Sequence, residues 1–157
     1  MTRAPIRFRS ARPGDAEAIH ALEQRLFSSD LMSLRSIKRF ISAAGARVVV
    51  GCDGTEIVAV MVLLLREPPR AARLFSLGVA ASHRGRGIAM RMVKQAKASA
   101  RKHGAPALRL EVKQRNHKAR RLYEAQGFRV ISELPDYYSD GADGLKMAVR
   151  FAPLTGR

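Results

Sequence analysis

The 157-residue chain lacks several features by which protein classes are recognised. It has one cysteine, Cys52, so an internal disulfide is excluded, and no cysteine and histidine spacing typical of a metal site is present. No apolar run approaches the roughly 20 residues of a membrane-spanning helix. The first residues also lack the apolar core of a signal peptide. We therefore expect a cytoplasmic protein that holds no metal and does not enter a membrane.

Acidic residues are scarce as well. The chain has 13 Asp and Glu against 29 Lys and Arg, which gives a formal net charge of +16. Such a charge attracts nucleic acid, ribosomes and phosphorylated cofactors. The basic residues are spread along the whole chain, however, and an arginine-rich composition would give the same charge without any partner. Association with nucleic acid or the ribosome is therefore the weaker interpretation, and the sequence leaves open a monomer or a homodimer.

The remaining composition is that of an ordinary soluble globular protein, with 46% apolar and 27% charged residues. The length predicts a single domain over residues 1–157. Hydrophobic periodicity predicts the order β-α-α-β-β-β-α-β-α-β-β, with Asp15 and Ser33 as N-caps of the first two helices. This order indicates an α/β sandwich with a mixed sheet. Strands are predicted near 6–9, 48–50, 57–61, 74–79, 108–112, 128–131 and 145–151, and helices near 15–27, 33–45, 88–104 and 116–126.

Residues 74–100 combine a buried strand, a glycine-rich turn and the start of a helix. Backbone N–H groups converge in such a turn, and the helix macrodipole adds partial positive charge at the same place. Glycines allow an oxygen to approach the backbone closely, and two arginines add full charges. The pattern therefore predicts an anion site. Its residues are Arg84, Gly85, Arg86, Gly87, Ile88 and Ala89. The preceding strand residues Leu77, Gly78 and Val79 are placed to supply a backbone donor to a reacting oxyanion.

Two common phosphate-binding motifs do not describe this turn. A nucleotide P-loop needs four residues between its glycines, followed by Gly-Lys-Ser/Thr, and this combination is absent. A dinucleotide fold needs a third glycine where the chain has Met90. The pattern Arg84-x-x-Gly87-x-Ala89 after a strand instead resembles the pyrophosphate loop of the GNAT superfamily of N-acetyltransferases, in which the loop amides hold the pyrophosphate of acetyl-CoA.

A second informative stretch begins at Glu111, on a strand where Leu110 and Val112 face the opposite side. Asn116 is positioned to cap the next helix, and Tyr123 lies on that helix. Taken singly, these residues fit a paired carboxylate, a cap and a packing aromatic. Together, the motif L-E-V followed by N-x-x-A-x-x-L-Y-E-x-x-G-F resembles the C-terminal half of GNAT enzymes that acetylate protein N-termini. The bacterial ribosomal-protein alanine N-acetyltransferases are the nearest subfamily.

The resemblance covers nearly the whole chain and implies a GNAT-type α/β sandwich, in which helices flank a mixed, mostly antiparallel sheet. It implies acetyl-CoA as cofactor, with Glu111 as general base, Tyr123 as general acid and Asn116 at the cofactor arm. Phe27, Tyr137 and Tyr138 are implied at the acceptor side. The implied reaction is direct attack of an amine on the thioester, without a covalent enzyme intermediate.

The acceptor stays open at this point. Residues 141–144 read Gly-Ala-Asp-Gly, where the nearest subfamily usually has Gly-x-Glu-Asp-Ala, and the region after Phe27 lacks that subfamily's aromatic residues. The α-amino group of a protein or peptide is favoured by the adjacent Tyr137 and Tyr138. A small-molecule amine is the alternative acceptor, and a non-catalytic, basic acyl-CoA-binding module is the alternative function.

Overall fold

The computed structural model describes residues 4–153 and contains seven strands and four α-helices in this part of the chain. The strands are β1 (Arg7–Ser10), β2 (Ala46–Asp53), β3 (Glu56–Leu64), β4 (Ala72–Val79), β5 (Ala107–Lys113), β6 (Arg129–Leu134) and β7 (Gly144–Arg150). The helices are α1 (Ala16–Leu26), α2 (Leu34–Ser42), α3 (Ile88–His103) and α4 (His117–Ala125). This is the predicted order of elements.

All seven strands form one sheet, in the order β1-β2-β3-β4-β5-β7-β6. Every neighbouring pair is antiparallel except β4 and β5, which run parallel. The parallel pair arises because α3 connects β4 to β5 and returns the chain to the same end of the sheet. The prediction of a mixed, mostly antiparallel sheet flanked by helices is confirmed.

The helices cover both faces of the sheet and create two cores. On one face, Ile19 and Leu22 of α1 and Ile37 of α2 pack with alternate residues of β2 and β3. On the other face, the buried side of α3, including Met92 and Ala96, packs with residues of β3, β4, β5 and β7. Since β3 contributes to both cores, it is buried almost throughout.

The helix ends follow the sequence in most places. The Ser33 side chain accepts a hydrogen bond from the Ser36 backbone N–H at 3.1 Å and so caps α2. Gly104 ends α3 with a left-handed φ of 93°, a conformation that glycine adopts without strain. Asp15 occupies the predicted N-cap position of α1, but its side chain makes no capping hydrogen bond. Its carboxylate accepts from Arg12 N–H and from the Arg9 guanidinium, both at 2.7 Å, and therefore closes the turn before α1 instead of capping the helix.

Within residues 4–153, no helix combines the length and the apolar character needed to cross a membrane. The cytoplasmic location stays a prediction.

Candidate active site

The site begins where β4 and β5 separate. The two strands pair only through Ala72 with Leu108 and Arg73 with Arg109. Beyond these pairs, β4 continues to Val79 beside β3, while β5 continues to Lys113 beside β7. A wedge therefore opens between two central strands, and among residues 4–153 the backbone of β4 on this side has no strand partner. Buried backbone groups need hydrogen-bond partners, so the wedge is suited to a ligand with amide-like groups.

The glycine-rich turn lies at the open end of this wedge. Gly85 and Gly87 have φ values of 77° and 75°, a region that strains any residue with a Cβ atom. A Cβ built at either position meets nothing within 4 Å, so the backbone faces open space. The first helical hydrogen bond of α3 runs from Arg91 N–H to Gly87 C=O. The N–H groups of residues 88–90 are thus available to an anion at the positive end of the helix.

These elements line a cleft of about 500 Å³ between the turn and α4. The predicted anion-site residues line it with one exception, as does the strand predicted to donate to the oxyanion: Arg84, Gly85, Gly87, Ile88 and Ala89, with Leu77, Gly78 and Val79. The exception is Arg86, whose guanidinium donates to the Ala4 carbonyl oxygen at 3.1 Å and does not line the cleft. Of the two arginines predicted to add charge, only Arg84 lines the cleft.

A hydrogen-bonded chain braces the turn from outside. His83 Nε2 lies 2.8 Å from Asp53 Oδ2, in the β2–β3 hairpin, and His83 Nδ1 lies 2.7 Å from Ser82 Oγ. The His83 side chain is only 12% exposed and lines the cleft. The chain therefore links the turn to a rigid hairpin. Sequence analysis did not assign a role to it, because Asp53 is 30 residues away from His83.

Asn116 stands between the cleft and a second cavity. Its side-chain oxygen accepts a hydrogen bond from the Ala119 N–H at 3.2 Å and so caps α4, as its position in the sequence suggested. Asn116 lines both cavities. Because the cap uses only the oxygen, the side-chain amide N–H groups remain available as donors.

The second cavity, here called the acceptor chamber, has a volume of about 640 Å³. It is formed by the end of α1 and the loop after it, by β4 and β5, and by the β6–β7 loop. The chamber contains the predicted base and the three predicted acceptor residues: Glu111, Phe27, Tyr137 and Tyr138. The cleft and the chamber adjoin, and Tyr123 is one of the six residues that line both: Leu26, Phe27, Leu77, Asn116, Ala119 and Tyr123.

Glu111 is held on both carboxylate oxygens. Its Oε2 accepts from Arg73 Nε at 3.1 Å, and its Oε1 accepts from Arg109 Nη1 at 2.9 Å. Its side chain is 10% exposed, so these ion pairs are partly shielded from water. Each oxygen keeps a second lone pair for a further donor. Sequence analysis missed both arginines, although Arg109 lies two residues before Glu111 on the same face of β5.

Tyr123 is almost fully buried and packs against Phe128, with ring centroids 5.7 Å apart. Burial raises the pKa of its hydroxyl to about 12, because the phenolate would be poorly solvated there. The hydroxyl therefore keeps its proton throughout the neutral and mildly alkaline range. Tyr123 can serve as a proton or hydrogen-bond donor at the junction of the two cavities.

Tyr137 and Tyr138 pack edge to face, with centroids 5.0 Å apart. Both backbone N–H groups donate to the Ala142 carbonyl at 3.1 Å, which fixes the β6–β7 loop. Tyr137 is exposed, whereas Tyr138 is half-buried. Burial, with added repulsion from nearby groups that include Glu111 and Asp30, raises the pKa of Tyr138 to about 12. Its hydroxyl therefore remains protonated beside the carboxylates of the chamber.

The loops around the chamber are tied to one another. Asp30, after α1, accepts hydrogen bonds from the backbone N–H and the hydroxyl of Ser139 in the β6–β7 loop, at 3.2 and 3.1 Å. Lys113 donates to Asp140 at 2.8 Å and approaches Ser29 at 3.4 Å. Three segments that are distant in sequence therefore form one rim.

Gly78 allows the end of α1 to approach β4. A Cβ atom at this position would lie 2.5 Å from Leu26 Cδ1 and 3.4 Å from the Phe27 ring. Any larger residue would displace the Leu26 side chain, whereas the Phe27 ring would be in ordinary contact with the added Cβ atom. Because Leu26 and Phe27 line both cavities, Gly78 sets the width of the passage between them.

A cleft suited to an anionic group, beside a chamber with a carboxylate and a buried tyrosine, fits a transferase of the acyl-transfer class on an α/β sandwich. The family model described as the acetyltransferase (GNAT) family matches residues 16–128. The chain belongs to this family. No curated protein sequence matches the chain.

Solved structures of acetyltransferases share the fold. The ribosomal-protein-S18-alanine N-acetyltransferase from Escherichia coli superposes with a TM-score of 0.84 at 22% identity, covering 98% of this chain and 99% of that one. The NatC complex bound to Gag peptide and CoA gives a TM-score of 0.82 at 20% identity, covering 95% and 100% of the two chains. Nourseothricin acetyltransferase gives 0.77 at 24% identity, covering 94% and 99%.

Proposed function

We propose that this enzyme transfers the acetyl group of acetyl-CoA to the α-amino group of a protein or peptide N-terminus. The observation that carries the proposal is the position of Tyr123, which lines both the cleft beside the glycine-rich turn and the chamber lined by Glu111 and Tyr138. Two similar structures support it, because one is a ribosomal-protein alanine N-acetyltransferase and the other was solved with a peptide and CoA.

The residues of the cleft fit acetyl-CoA. Its diphosphate would lie on the free N–H groups at the start of α3, beside Gly85, Gly87 and Arg84. Its amide-containing arm would pass along the unpaired side of β4, near Asn116. Acetyl-CoA supplies an acetyl group activated as a thioester. The residues shared by the cleft and the chamber would bring this group to Tyr123.

Glu111 is proposed as the general base. An amine attacks a thioester only in its neutral form, so an acceptor that arrives as an ammonium must lose a proton. Arg73 and Arg109 fix the position of the carboxylate, and the second lone pair on each oxygen can accept that proton, directly or through a water molecule. Free α-amino groups have a pKa near 7.7–8.0, against about 10.4 for lysine side chains, so a carboxylate is better matched to the former.

Tyr123 is proposed as the donor to the departing sulfur. A thiol has a pKa near 8.5, well below the value of about 12 for Tyr123, so complete proton transfer from the tyrosine to the thiolate is uphill. We infer that the hydroxyl acts mainly by donating a hydrogen bond to the sulfur as negative charge develops there.

The tyrosine pair favours a peptide as acceptor. Hydroxyl groups can both donate to and accept from a peptide backbone, and Tyr138 keeps its proton in the chamber. The acidic residues of the β6–β7 loop could instead have attracted a cationic small molecule. Two of them are already engaged: Asp140 pairs with Lys113, and Asp143 accepts from the Asp136 N–H at 2.7 Å.

Mass spectrometry of a panel of acceptors incubated with acetyl-CoA tests this function. The panel contains N-terminal peptides, spermidine and an aminoglycoside. We expect the peptides to be acetylated fastest. Equal or faster acetylation of spermidine or of the aminoglycoside would show that the acceptor is a small-molecule amine and not a peptide.

A further inference from the structure

Glu23 is the one charged residue that is fully buried among residues 4–153, with a relative exposure of 2%. It lies on α1 four residues after Ile19 and three before Leu26, so it shares their inward face. The mechanism proposed above does not use it. A buried carboxylate is expensive unless its oxygens are hydrogen-bonded or paired with a cation.

Only half of this carboxylate is satisfied. Oε1 accepts a hydrogen bond from the Met32 N–H at 3.1 Å, whereas the buried Oε2 has no hydrogen-bond partner within the described part of the chain. Burial raises the pKa of Glu23, while the Met32 N–H, the nearby Ser76 hydroxyl and His20 partly oppose this rise. Ser76 lies close to the carboxyl group but makes no hydrogen bond of good geometry with Oε2.

Holding the loop does not require a charge. The Oε1 oxygen ties α1 to the end of the α1–α2 loop, and a glutamine would supply the same oxygen without burying a carboxylate. The charge and the second oxygen therefore exceed what the fold needs. Groups of this kind are typical of functional sites, where stability is lost for the sake of a ligand.

Glu23 lines the acceptor chamber, beside Phe75 and Ser76. The other chamber carboxylates, Asp30 and Glu111, use both oxygens to accept hydrogen bonds from Ser139 and from the two arginines. Within the described residues, Glu23 is thus the chamber-lining residue whose carboxylate has one oxygen, the buried Oε2, without a donor. The remaining ionisable side chains lining the chamber are Arg73, Lys113, Tyr123, Tyr137 and Tyr138.

We propose that Glu23 binds the acceptor amine, whose N–H or ammonium group donates a hydrogen bond to Oε2. Glu23 is then a specificity-determining residue that selects acceptors carrying an amine. This inference rests on the proposed function, because it requires the chamber to receive an amine. Hydrogen bonds to a charged, buried carboxylate are among the stronger ones in proteins, and an acceptor without a donor at this position leaves the carboxylate unsatisfied.

The test compares two ligands that differ only in the amine. Alanyl-alanyl-alanine amide and its des-amino analogue, propionyl-alanyl-alanine amide, are titrated calorimetrically against the enzyme saturated with CoA, so that no turnover occurs. The same is done with tyramine and 4-ethylphenol. The wild type should bind the amine about 10-fold to 100-fold more tightly than its partner in at least one pair. In Glu23→Gln this ratio should fall close to one.

The thermal stability of Glu23→Gln shows whether a change in its ligand binding comes from lost contacts or from a disturbed fold. Glu23→Gln keeps an oxygen for the Met32 N–H and removes a buried charge, so its Tm should be no lower than that of the wild type. Glu23→Asp, with the charge on a shorter arm, should keep part of the discrimination. Glu17→Gln, an exposed change on the same helix, should leave the ratio unchanged.

Each outcome has one meaning. If Glu23→Gln weakens the amine and the des-amino ligand equally, Glu23 only supports the loop and the inference is wrong. If the wild type does not discriminate within either pair, the inference is also wrong. If discrimination depends on Glu23 but no peptide α-amine is acetylated, the inference stands and the proposed acceptor fails.

Discussion

The cofactor cleft and the acceptor chamber are built in opposite ways. The cleft takes most of its contacts from one contiguous stretch, residues 77–90, and its chemistry is mainly that of backbone N–H groups and glycines. The chamber takes its walls from the α1–α2 region, two strands, α4 and the β6–β7 loop, and its chemistry is that of paired side chains. A site made of backbone is rigid and suited to a constant ligand, whereas one made of side chains on loops can vary with the acceptor.

The largest effect is expected in the chamber. Glu111→Gln should lower kcat by about 10²-fold to 10⁴-fold, because the amine loses its proton acceptor. Acetyl-CoA binding should stay unchanged, because Glu111 does not line the cleft. Stopped acetylation assays across pH, with Glu124→Gln as an exposed control on α4, check this; wild-type turnover in Glu111→Gln would remove the base assignment.

The second-largest effect is expected for a substitution that prevents acetyl-CoA from binding in the cleft. At 100 times its Kd, acetyl-CoA should stabilise the wild type by ~2.7 kcal/mol, or roughly 5–10 °C in Tm. Gly87→Val should abolish this shift, because a β-branched residue is strained at a φ of 75° and its side chain would fill the open space before the turn. NAD and ATP should give much smaller shifts. Scanning calorimetry with Gly14→Val, in an uncrowded turn away from the cleft, provides the control.

Tyr123→Phe should lie below Glu111→Gln in its effect on turnover. Only a hydroxyl is lost, and this hydroxyl donates a hydrogen bond more readily than a proton, so a fall in kcat of about 10-fold to 100-fold is expected. Since the pKa of Tyr123 is about 12 and its donor form persists below that pH, the wild type should show no alkaline loss of rate from this group up to pH 10. A loss of rate near pH 9 that is absent in Tyr123→Phe would contradict the assignment.

The smallest expected effect tests the brace behind the cleft. Asp53→Asn should weaken the link through His83 to the turn and raise the Kd of acetyl-CoA by about 3-fold to 10-fold, the usual scale of one lost charge-assisted hydrogen bond at a part-exposed position. The KM of the acceptor should not change. Calorimetric titration of acetyl-CoA measures the change in Kd. An increase confined to the acceptor's KM would contradict the assignment of Asp53 and His83 to the cofactor cleft.

This difference between the regions also explains what the sequence could predict. The strand, turn and helix of the cleft are consecutive, so their residue order alone predicts converging N–H groups at Gly85 and Gly87. Arg86 was the exception, because its direction depends on Ala4, 82 residues away. In the chamber, the alternation of β5 predicts the face of Glu111, but not its contact with Arg73, 38 residues earlier.

Some chamber features had a sequence signal that was not used. Glu23 stands at a helical spacing from Ile19 and Leu26, which places a carboxylate on the buried face of α1. For Asp15, the sequence signal was misleading. Its position before a helix predicts that its side chain caps α1, but the carboxylate accepts hydrogen bonds from Arg9 and Arg12 instead. Such competition between partners is decided by tertiary geometry and is invisible in the pattern of one segment.

The acceptor can be tested most directly with one peptide that offers both kinds of amine. Alanyl-alanyl-lysyl-alanine amide is incubated with acetyl-CoA and the enzyme, and tandem mass spectrometry locates the acetyl group on the product. The account predicts acetylation of the N-terminal α-amine, with the lysine side chain left free. Acetylation of the lysine side chain, or an unmodified peptide under conditions in which spermidine is acetylated, would contradict it.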